Sequence, residues 1–238
     1  MRINKFLSSC GIASRRKSDV LLLEGRVMVN GIIIDELGYQ VNPDVDEVRV
    51  DGQIIKQNKP VYYKLYKPEG FISTVKDDKN RQTVMDFFPD LNLGLFPVGR
   101  LDRDSEGLII VTNDGDLAHR LMHPRYNVQK VYEVIIDKKL SDKEVSMLAN
   151  GIRLDEGITS KCHVEITNEG KNFCELLFII HQGWYRQIRR MVEKIGANVT
   201  FLRRTFIDSI SLAEMKIGER KKLTNEEVKA LKKCVNLI

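Results

Sequence analysis

The chain has 238 residues, of which 42% are hydrophobic and 30% are charged, with a formal net charge of +5. This length suffices for one substantial core and a small accessory domain, and this composition is that of an ordinary globular protein. The longest apolar runs fall far short of the roughly 20 residues that cross a bilayer, and Met1 does not begin a signal peptide. We therefore expect a cytoplasmic protein with no membrane segment.

The cysteine and histidine patterns argue against a metal site. The cysteines are scattered without a Cys-x-x-Cys pair, which disfavours structural zinc and a disulfide framework: Cys10, Cys162, Cys174 and Cys234. His119 and His123 lie four residues apart but lack the acid of His-Glu-x-x-His and a recognisable third ligand. We expect no metal and no cofactor.

Positive charge is concentrated in two stretches. Residues 1–30 contain six Lys/Arg against two acids, and residues 184–204 contain six against one, whereas residues 31–59 contain three against six. Clustered cations on one cytoplasmic chain are typical of a phosphate-contacting surface. Nucleic acid is therefore the leading class of ligand.

Two helices are predicted at the start of the chain. A short helix covers residues 3–10, and Ser14 is a good N-cap for a second helix that runs to about Glu24 and stops at Gly25. The hydrophobic period then changes from that of a helix to that of strands.

Two small hairpins follow these helices. Asn30-Gly31 and Asp51-Gly52 each separate short β-branched runs and supply the positive φ angles that a two-residue turn requires. The polar segment 56–60 ends in proline and is typical of a linker. We predict a small module over residues 1–59 and a second domain over residues 60–238.

Strands predominate in the second part, with helices interspersed. Apolar runs predict strands over 61–66, 95–98, 108–111, 131–136, 162–167, 174–180 and 199–212. Helical patterns cover 116–122, 141–150, 187–195 and 225–233. The fold class is therefore α+β, with a mainly antiparallel sheet and flanking helices in the second domain.

The turn at residues 99–107 places Asp102 between two apolar runs, at the edge of a core, where functional residues are often mounted. Its other polar residues, Asp104 and Ser105, are also common in purely structural turns. The spacing Asp102-x-Asp104-x-Glu106-Gly107 imitates the start of a calcium-binding EF-hand loop. Position twelve is Asn113 instead of glutamate and the flanks are strands, so calcium binding is not expected.

Four motifs in order resemble the RsuA/RluB/RluE/RluF family of ribosomal RNA pseudouridine synthases. They are Leu65-Tyr66-Lys67-Pro68-x-Gly70, Gly99-Arg100-Leu101-Asp102 continuing to Ser105-x-Gly107-Leu108, Lys130-x-Tyr132, and Arg186-Gln187-Ile188-Arg189-Arg190-Met191. The first module resembles the RNA-binding domain first described in ribosomal protein S4, through Ser14-Arg15-Arg16-Lys17 and Glu24-Gly25-x-Val27-x-Val29-Asn30-Gly31. The two resemblances together cover essentially the whole chain.

The family resemblance implies three catalytic residues. Asp102 matches the essential carboxylate, which either adds to the substrate or removes a sugar proton. Arg189 matches the arginine that pairs with this carboxylate, and Tyr132 matches the tyrosine that packs against the target uracil. A uridine in folded RNA must leave its stack to reach Asp102.

Charge and resemblance together predict RNA contacts at a set of basic residues: Arg15, Arg16, Lys17, Arg26, Lys67, Arg100, Arg103, Arg186 and Arg190. Lys67 and Pro68 are also expected to shape the wall of the pocket, and Tyr185 or Trp184 are candidates for stacking on bases. Gln182-Gly183-Trp184-Tyr185 departs from the usual Glu-Gly-basic-Asn, which bears on the choice of target.

The expected partner is ribosomal RNA, 23S rather than 16S, or a ribosome-assembly particle, and the expected state is a monomer. The alternative is a non-catalytic RNA-binding or ribosome-assembly protein in which Asp102 only stabilises its turn. That alternative explains the charge but not the four motifs.

Overall fold

The computed structural model describes residues 1–91 and 93–238, which divide into two units. The first comprises Met1–Val61, Phe88–Phe96 and Thr112–Gly115, and the second comprises the other described residues. A single cut between residues 59 and 60 cannot express this division, and that boundary stays a prediction. In the described part of the chain, no helix is long and apolar enough to cross a membrane.

The first unit contains two helices and a four-stranded antiparallel sheet with strand order β2-β1-β3-β4. Its elements are α1 (Ile3–Ser9), α2 (Arg15–Leu23), β1 (Val27–Val29), β2 (Ile32–Ile33), β3 (Val48–Val50) and β4 (Gln53–Ile54). A thin core of buried aliphatic side chains and Phe6 joins the helices to the sheet. This arrangement confirms the predicted helices and hairpins.

Local sequence explains the start of α2 and the turn between β1 and β2. The Ser14 hydroxyl accepts a hydrogen bond from the backbone N–H of Lys17, which satisfies one orphan donor at the start of α2. Asn30 and Gly31 have φ angles of 51° and 83°, as a tight hairpin turn requires.

The rest of the chain forms a larger sheet with helices. Its strands are β5 (Tyr62–Lys67), β6 (Phe96–Val98), β7 (Glu106–Thr112), β8 (Lys130–Ile136), β9 (Arg153–Leu154), β10 (Gly157–Ile158), β11 (His163–Glu169), β12 (Cys174–Ile180), β13 (Val199–Ile207), β14 (Ile210–Ser211) and β15 (Arg220–Lys222). Its helices are α3 (Gly115–Met122), α4 (Asp142–Asn150), α5 (Gln187–Glu193) and α6 (Asn225–Cys234), with 3-10 turns at Val84–Phe87 and Pro124–Tyr126.

The large sheet has the strand order β11-β12-β8-β13-β7-β5-β15, with β14 beside β13 and β6 beside β7. β9 and β10 form a separate two-stranded ribbon. The pairing of β13 with β7 is parallel, and β8 is antiparallel to both β12 and β13. The predicted α+β class with a mainly antiparallel sheet is therefore confirmed. β8, β12, α4 and α5 contribute to one continuous apolar core.

The parallel pairing depends on a glycine. Gly107 faces Arg204 in the register of β7 and β13 and has a φ angle of 116°. A Cβ atom at position 107 would lie 2.3 Å from the carbonyl oxygen of Arg204. The two strands approach this closely because Gly107 has no side chain.

We expect Gly107→Ala to lower the free energy of unfolding by about 2 kcal/mol or more, because alanine would strain the backbone and separate β7 from β13. Urea unfolding followed by circular dichroism measures the loss. Gly115→Ala is the matched control, since no described atom lies within 4 Å of a Cβ there. It should leave the free energy of unfolding unchanged or raise it by up to about 1 kcal/mol, because alanine is favoured over glycine in a helix, and an equal loss in the two variants would contradict this account.

Candidate active site

The turn between β6 and β7 presents Asp102 to a cleft of about 840 Å³. Gly99 begins the turn with a φ angle of 75°. Leu101 is buried in the same apolar core as Tyr132, which fixes the backbone on one side of Asp102. The Asp102 side chain itself is 25% exposed. A carboxylate is thus held at the rim of a core, open to a molecule in the cleft.

A buried lysine holds this turn from inside. Lys67 is fully buried at the end of β5, and its Nζ donates hydrogen bonds to the carbonyl oxygens of Pro68, Asp102 and Ser105 at 3.0, 3.0 and 2.6 Å. These bonds use all three ammonium protons. Burial lowers the pKa of Lys67 to about 8, and the charge of Asp102 opposes that shift. The lysine therefore fixes the backbone from residue 102 to residue 105.

The prediction that Lys67 contacts RNA is wrong in this structure. An ammonium group that has no exposed surface and spends every proton on backbone carbonyls cannot also bind a phosphate. The motif at residues 65–70 contributes to the site through Lys67, which holds the turn at residues 102–105 in place.

Arg189 holds the other side of the same turn. It is 7% exposed, and its Nη2 donates to the carbonyl oxygen of Asp104 at 2.6 Å and to the Ser105 hydroxyl at 3.1 Å. Its Nη1 donates to the carbonyl oxygen of Val199 at 3.2 Å. Together with Lys67, Arg189 anchors the carbonyl groups of residues 102, 104 and 105 to buried cations.

The expected pairing of Arg189 with Asp102 needs a correction. The carboxylate closest to its guanidinium among the ion pairs of the described residues is that of Asp104, 3.5 Å from Nε. Arg186 is the arginine that approaches Asp102, with Nη1 4.0 Å from Oδ2. Arg186 Nη1 also lies 2.9 Å from both carboxylate oxygens of Asp104. Asp104 thus holds Arg186 beside Asp102, which the generic reading of Asp104 as a turn residue did not foresee.

Tyr132 has a partner that sequence reasoning missed. The tyrosine is 8% exposed on β8, and its hydroxyl accepts a hydrogen bond of 3.4 Å from Nη1 of Arg204. Arg204 is 2% exposed on β13 and also donates from Nε to the carbonyl oxygen of Leu108 at 2.7 Å. The alternation along β13 was the available signal, because Arg204 shares the core-facing side with Leu202.

The remaining predicted RNA contacts fall into two groups. Arg15, Arg16 and Lys17 are exposed at the start of α2, and Arg100 and Arg103 are exposed at the cleft. Of these, Arg103 also donates from Nε to the carbonyl oxygen of Gly70 at 3.2 Å. Their roles in binding RNA stay predictions.

Other cations are engaged by acids. Arg26 binds Asp51 through two hydrogen bonds of 2.8 and 2.6 Å. Arg190 binds Glu156 through two of 2.8 Å. Their charges are locally neutralised, so neither residue supports the picture of an open phosphate site. Of the six basic residues in the stretch 184–204, Arg189 and Arg204 are buried, so they add nothing to a basic surface.

No cluster of three or more potential metal ligands occurs among residues 1–91 and 93–238. The rings of His119 and His123 are 5.4 Å apart, without a third ligand in that part of the chain. Asp104, the second acid of the calcium-like spacing, is paired with Arg186 and Arg189.

We expect Lys67→Met to remove part of the pH dependence of stability and to leave a residual slope, because burial also lowers the pKa of Lys130 to about 8. Lys67 has a pKa of about 8 in the folded chain and about 10.4 when unfolded. Between about pH 8 and about pH 10.4 the unfolded chain binds more protons than the folded chain, so the free energy of unfolding rises with pH. The stability gained in this range is lost again as the pH falls toward about 8. Its size is at most about 3 kcal/mol.

Urea unfolding at several pH values from 7.5 to 10 measures this difference. Wild type should gain stability relative to Lys67→Met as pH rises. Lys171→Met, at an exposed position, should keep the slope of the wild type. Identical slopes in wild type and Lys67→Met would contradict the expectation.

The chain is similar to known proteins along most of its length. The family described as RNA pseudouridylate synthase matches residues 61–194, and the S4 domain matches residues 1–46. The ribosomal large subunit pseudouridine synthase B of Bacillus subtilis (strain 168) is 40% identical over 97% of this chain and 95% of its own length. An uncharacterized RNA pseudouridine synthase of Aquifex aeolicus (strain VF5) is 40% identical over 100% of this chain and 96% of its own.

A crystal structure of a pseudouridylate synthase superposes with a TM-score of 0.70, at 27% identity, covering 97% of this chain and 99% of that one. The resemblance drawn from the four motifs is therefore confirmed along the whole chain. This chain belongs to the RNA pseudouridine synthases of the RsuA type with an N-terminal S4 domain, and it is an isomerase.

Proposed function

We propose that this enzyme converts a specific uridine of ribosomal RNA to pseudouridine, with 23S rRNA as the preferred substrate over 16S. The preference rests on the similarity to the large-subunit synthase of Bacillus subtilis at 40% identity. The observation that carries the catalytic assignment is Asp102, a partly exposed carboxylate in the cleft on a turn that buried cations hold rigid.

The reaction is an isomerisation with no net redox change. The bond between N1 of uracil and C1′ of ribose breaks, the base rotates, and a bond from C5 to C1′ forms. The C5 proton leaves to solvent and N1 gains a proton. Asp102 either adds covalently to the substrate or removes a sugar proton, and both routes require its ionised carboxylate.

The neighbours of Asp102 take separate roles in this proposal. Arg186 supplies a positive charge 4.0 Å from the carboxylate of Asp102. Arg189 and Lys67 position the turn from behind. Tyr132, whose hydroxyl is held by Arg204, packs against the flipped uracil.

RNA binding is divided between both units. Arg100 and Arg103 lie at the cleft, where they contact the backbone next to the target uridine. Arg15, Arg16 and Lys17 form an exposed cationic cluster on α2 of the first unit. Phosphate contacts of this kind strengthen binding without reading sequence and make it dependent on salt.

We expect Asp102→Asn to reduce pseudouridine formation by about a hundredfold to ten-thousandfold or more, because the amide cannot act as nucleophile or base. The measurement is tritium release from rRNA labelled at C5 of uridine. Asp142→Asn, at an exposed position of α4, is the matched control and should keep the activity of the wild type.

Mapping the modified nucleotide on separate 23S and 16S transcripts identifies the substrate. Absence of release from any rRNA by the wild type, or full activity of Asp102→Asn, would overturn the catalytic proposal. Modification of 16S alone would overturn the preference and leave the assignment of Asp102 intact.

We expect the triple variant Arg15→Gln, Arg16→Gln, Lys17→Gln to bind rRNA more weakly and with a shallower salt dependence. Loss of three phosphate contacts should reduce the slope of log K against log salt by roughly 2. Filter binding at 50 to 250 mM KCl measures the slope. Lys171→Gln serves as the control at an exposed position of the second unit, and a triple variant with the affinity and slope of the wild type would exclude this surface from binding.

A further inference from the structure

The connection before α5 presents two adjacent aromatic residues in different ways. Trp184 is half-buried and packs against the apolar core, and its ring also lies beside Gly157. Tyr185 is 65% exposed and lines the same cleft as Asp102. The structure therefore separates the two candidates for base stacking, because Trp184 packs against the core whereas Tyr185 is exposed in the cleft.

Hydrogen bonds hold the backbone on both sides of Tyr185. The backbone N–H of Trp184 donates to Oε1 of Gln187 at 3.0 Å, and the backbone N–H of Gln187 donates back to the carbonyl oxygen of Trp184 at 3.2 Å. Gln187 is 5% exposed, and its Nε2 donates to Oε1 of Gln182 at 3.1 Å. The loop is thus anchored on both sides of Tyr185, and ordering its backbone costs little when a ligand arrives.

The residue after Tyr185 adds charge to the same place. Arg186 adopts a left-handed conformation, with φ 47° and ψ 37°, and its guanidinium lies 4.0 Å from Asp102. A left-handed residue turns the chain sharply, and both Tyr185 and Arg186 line the cleft as a result. The guanidinium of Arg186 is paired with Asp104, so the feature of this loop that remains available to a ligand is the exposed ring of Tyr185. Exposed aromatic rings in a cleft are the platforms on which single-stranded nucleic acids stack their bases.

Base flipping creates a need that this ring can meet. When a uridine leaves its stack, a neighbouring base loses one stacking partner, and the enzyme must replace that interaction to keep the extruded state populated. Arg100 and Arg103 in the same cleft have the charge to hold the intervening phosphates.

We propose that Tyr185 stacks on the base adjacent to the flipped uridine and thereby contributes to target selection. This inference rests on the proposed modification of a uridine in ribosomal RNA. Tyr185 is a substrate-binding residue in this scheme and takes no part in bond making. The ligand is a nucleobase within the substrate strand, and purines are favoured because their larger faces stack more strongly.

The test compares Tyr185→Ala and Tyr185→Phe on an rRNA fragment that contains the mapped target. Stacking on one base predicts that Tyr185→Ala raises KM roughly 5- to 150-fold and leaves kcat within about twofold. Tyr185→Phe, which keeps the ring, should retain the KM of the wild type. Dissociation constants measured in the Asp102→Asn background should follow the same order without turnover.

A substrate series identifies the base. RNA with an abasic nucleotide on the 5′ side of the target, or on its 3′ side, should bind wild type more weakly at one of the two positions. At that position, Tyr185→Ala should bind intact and abasic RNA equally. Such loss of additivity requires a direct interaction between the ring and that base.

Phe173→Ala is the matched control, because Phe173 is also an exposed aromatic residue and does not line the cleft. It should keep the KM of the wild type. An unchanged KM in Tyr185→Ala, a loss confined to kcat, or a full abasic effect in Tyr185→Ala would each overturn the inference. Failure of the proposed function is distinct, since wild type would then produce no pseudouridine at all.

Discussion

The buried ammonium of Lys67 is the interaction on which the site depends. One cation at the end of β5 binds the carbonyl oxygens of residues 68, 102 and 105 and thereby joins two segments of chain that sequence keeps apart. Removing an ammonium group from water is unfavourable, and the depressed pKa of Lys67 records that penalty. Three hydrogen bonds to backbone carbonyl oxygens offset this penalty and order the turn that carries the Asp102 carboxylate.

The main elements follow from local sequence. Ser14 as a cap, the Asn30-Gly31 turn and the apolar runs beside Asp102 each act over a few residues, so the helices and hairpins they define were predictable. The family motifs likewise pointed to Asp102 and Arg189, which the structure brings to one turn, whereas the place of Tyr132 in the site stays a prediction. Short-range rules and motif order therefore account for the α+β class and for the membership of the site.

The directions of the charged side chains were not predictable in the same way. Arg186 approaches Asp102 because it adopts a left-handed conformation. Arginine rarely adopts this conformation, so it could not be predicted from the residue type. Lys67 and Arg204 are buried, although such residues are usually exposed, because carbonyl groups distant in sequence, those of Ser105 and Leu108 among them, accept their hydrogen bonds. These outcomes depend on which strands become neighbours, and the parallel pairing of β7 with β13 is a property of the whole sheet.

Gln187 and Trp184 anchor their loop to the body of the second unit through groups that leave position 185 unused in packing. A residue in that situation is free to vary without disturbing the core or the Asp102 turn. A replacement at this one exposed position changes the surface that lines the cleft and leaves the turn that carries Asp102 as it is. Position 185 can for the same reason be varied in the laboratory to search for enzymes with new RNA targets.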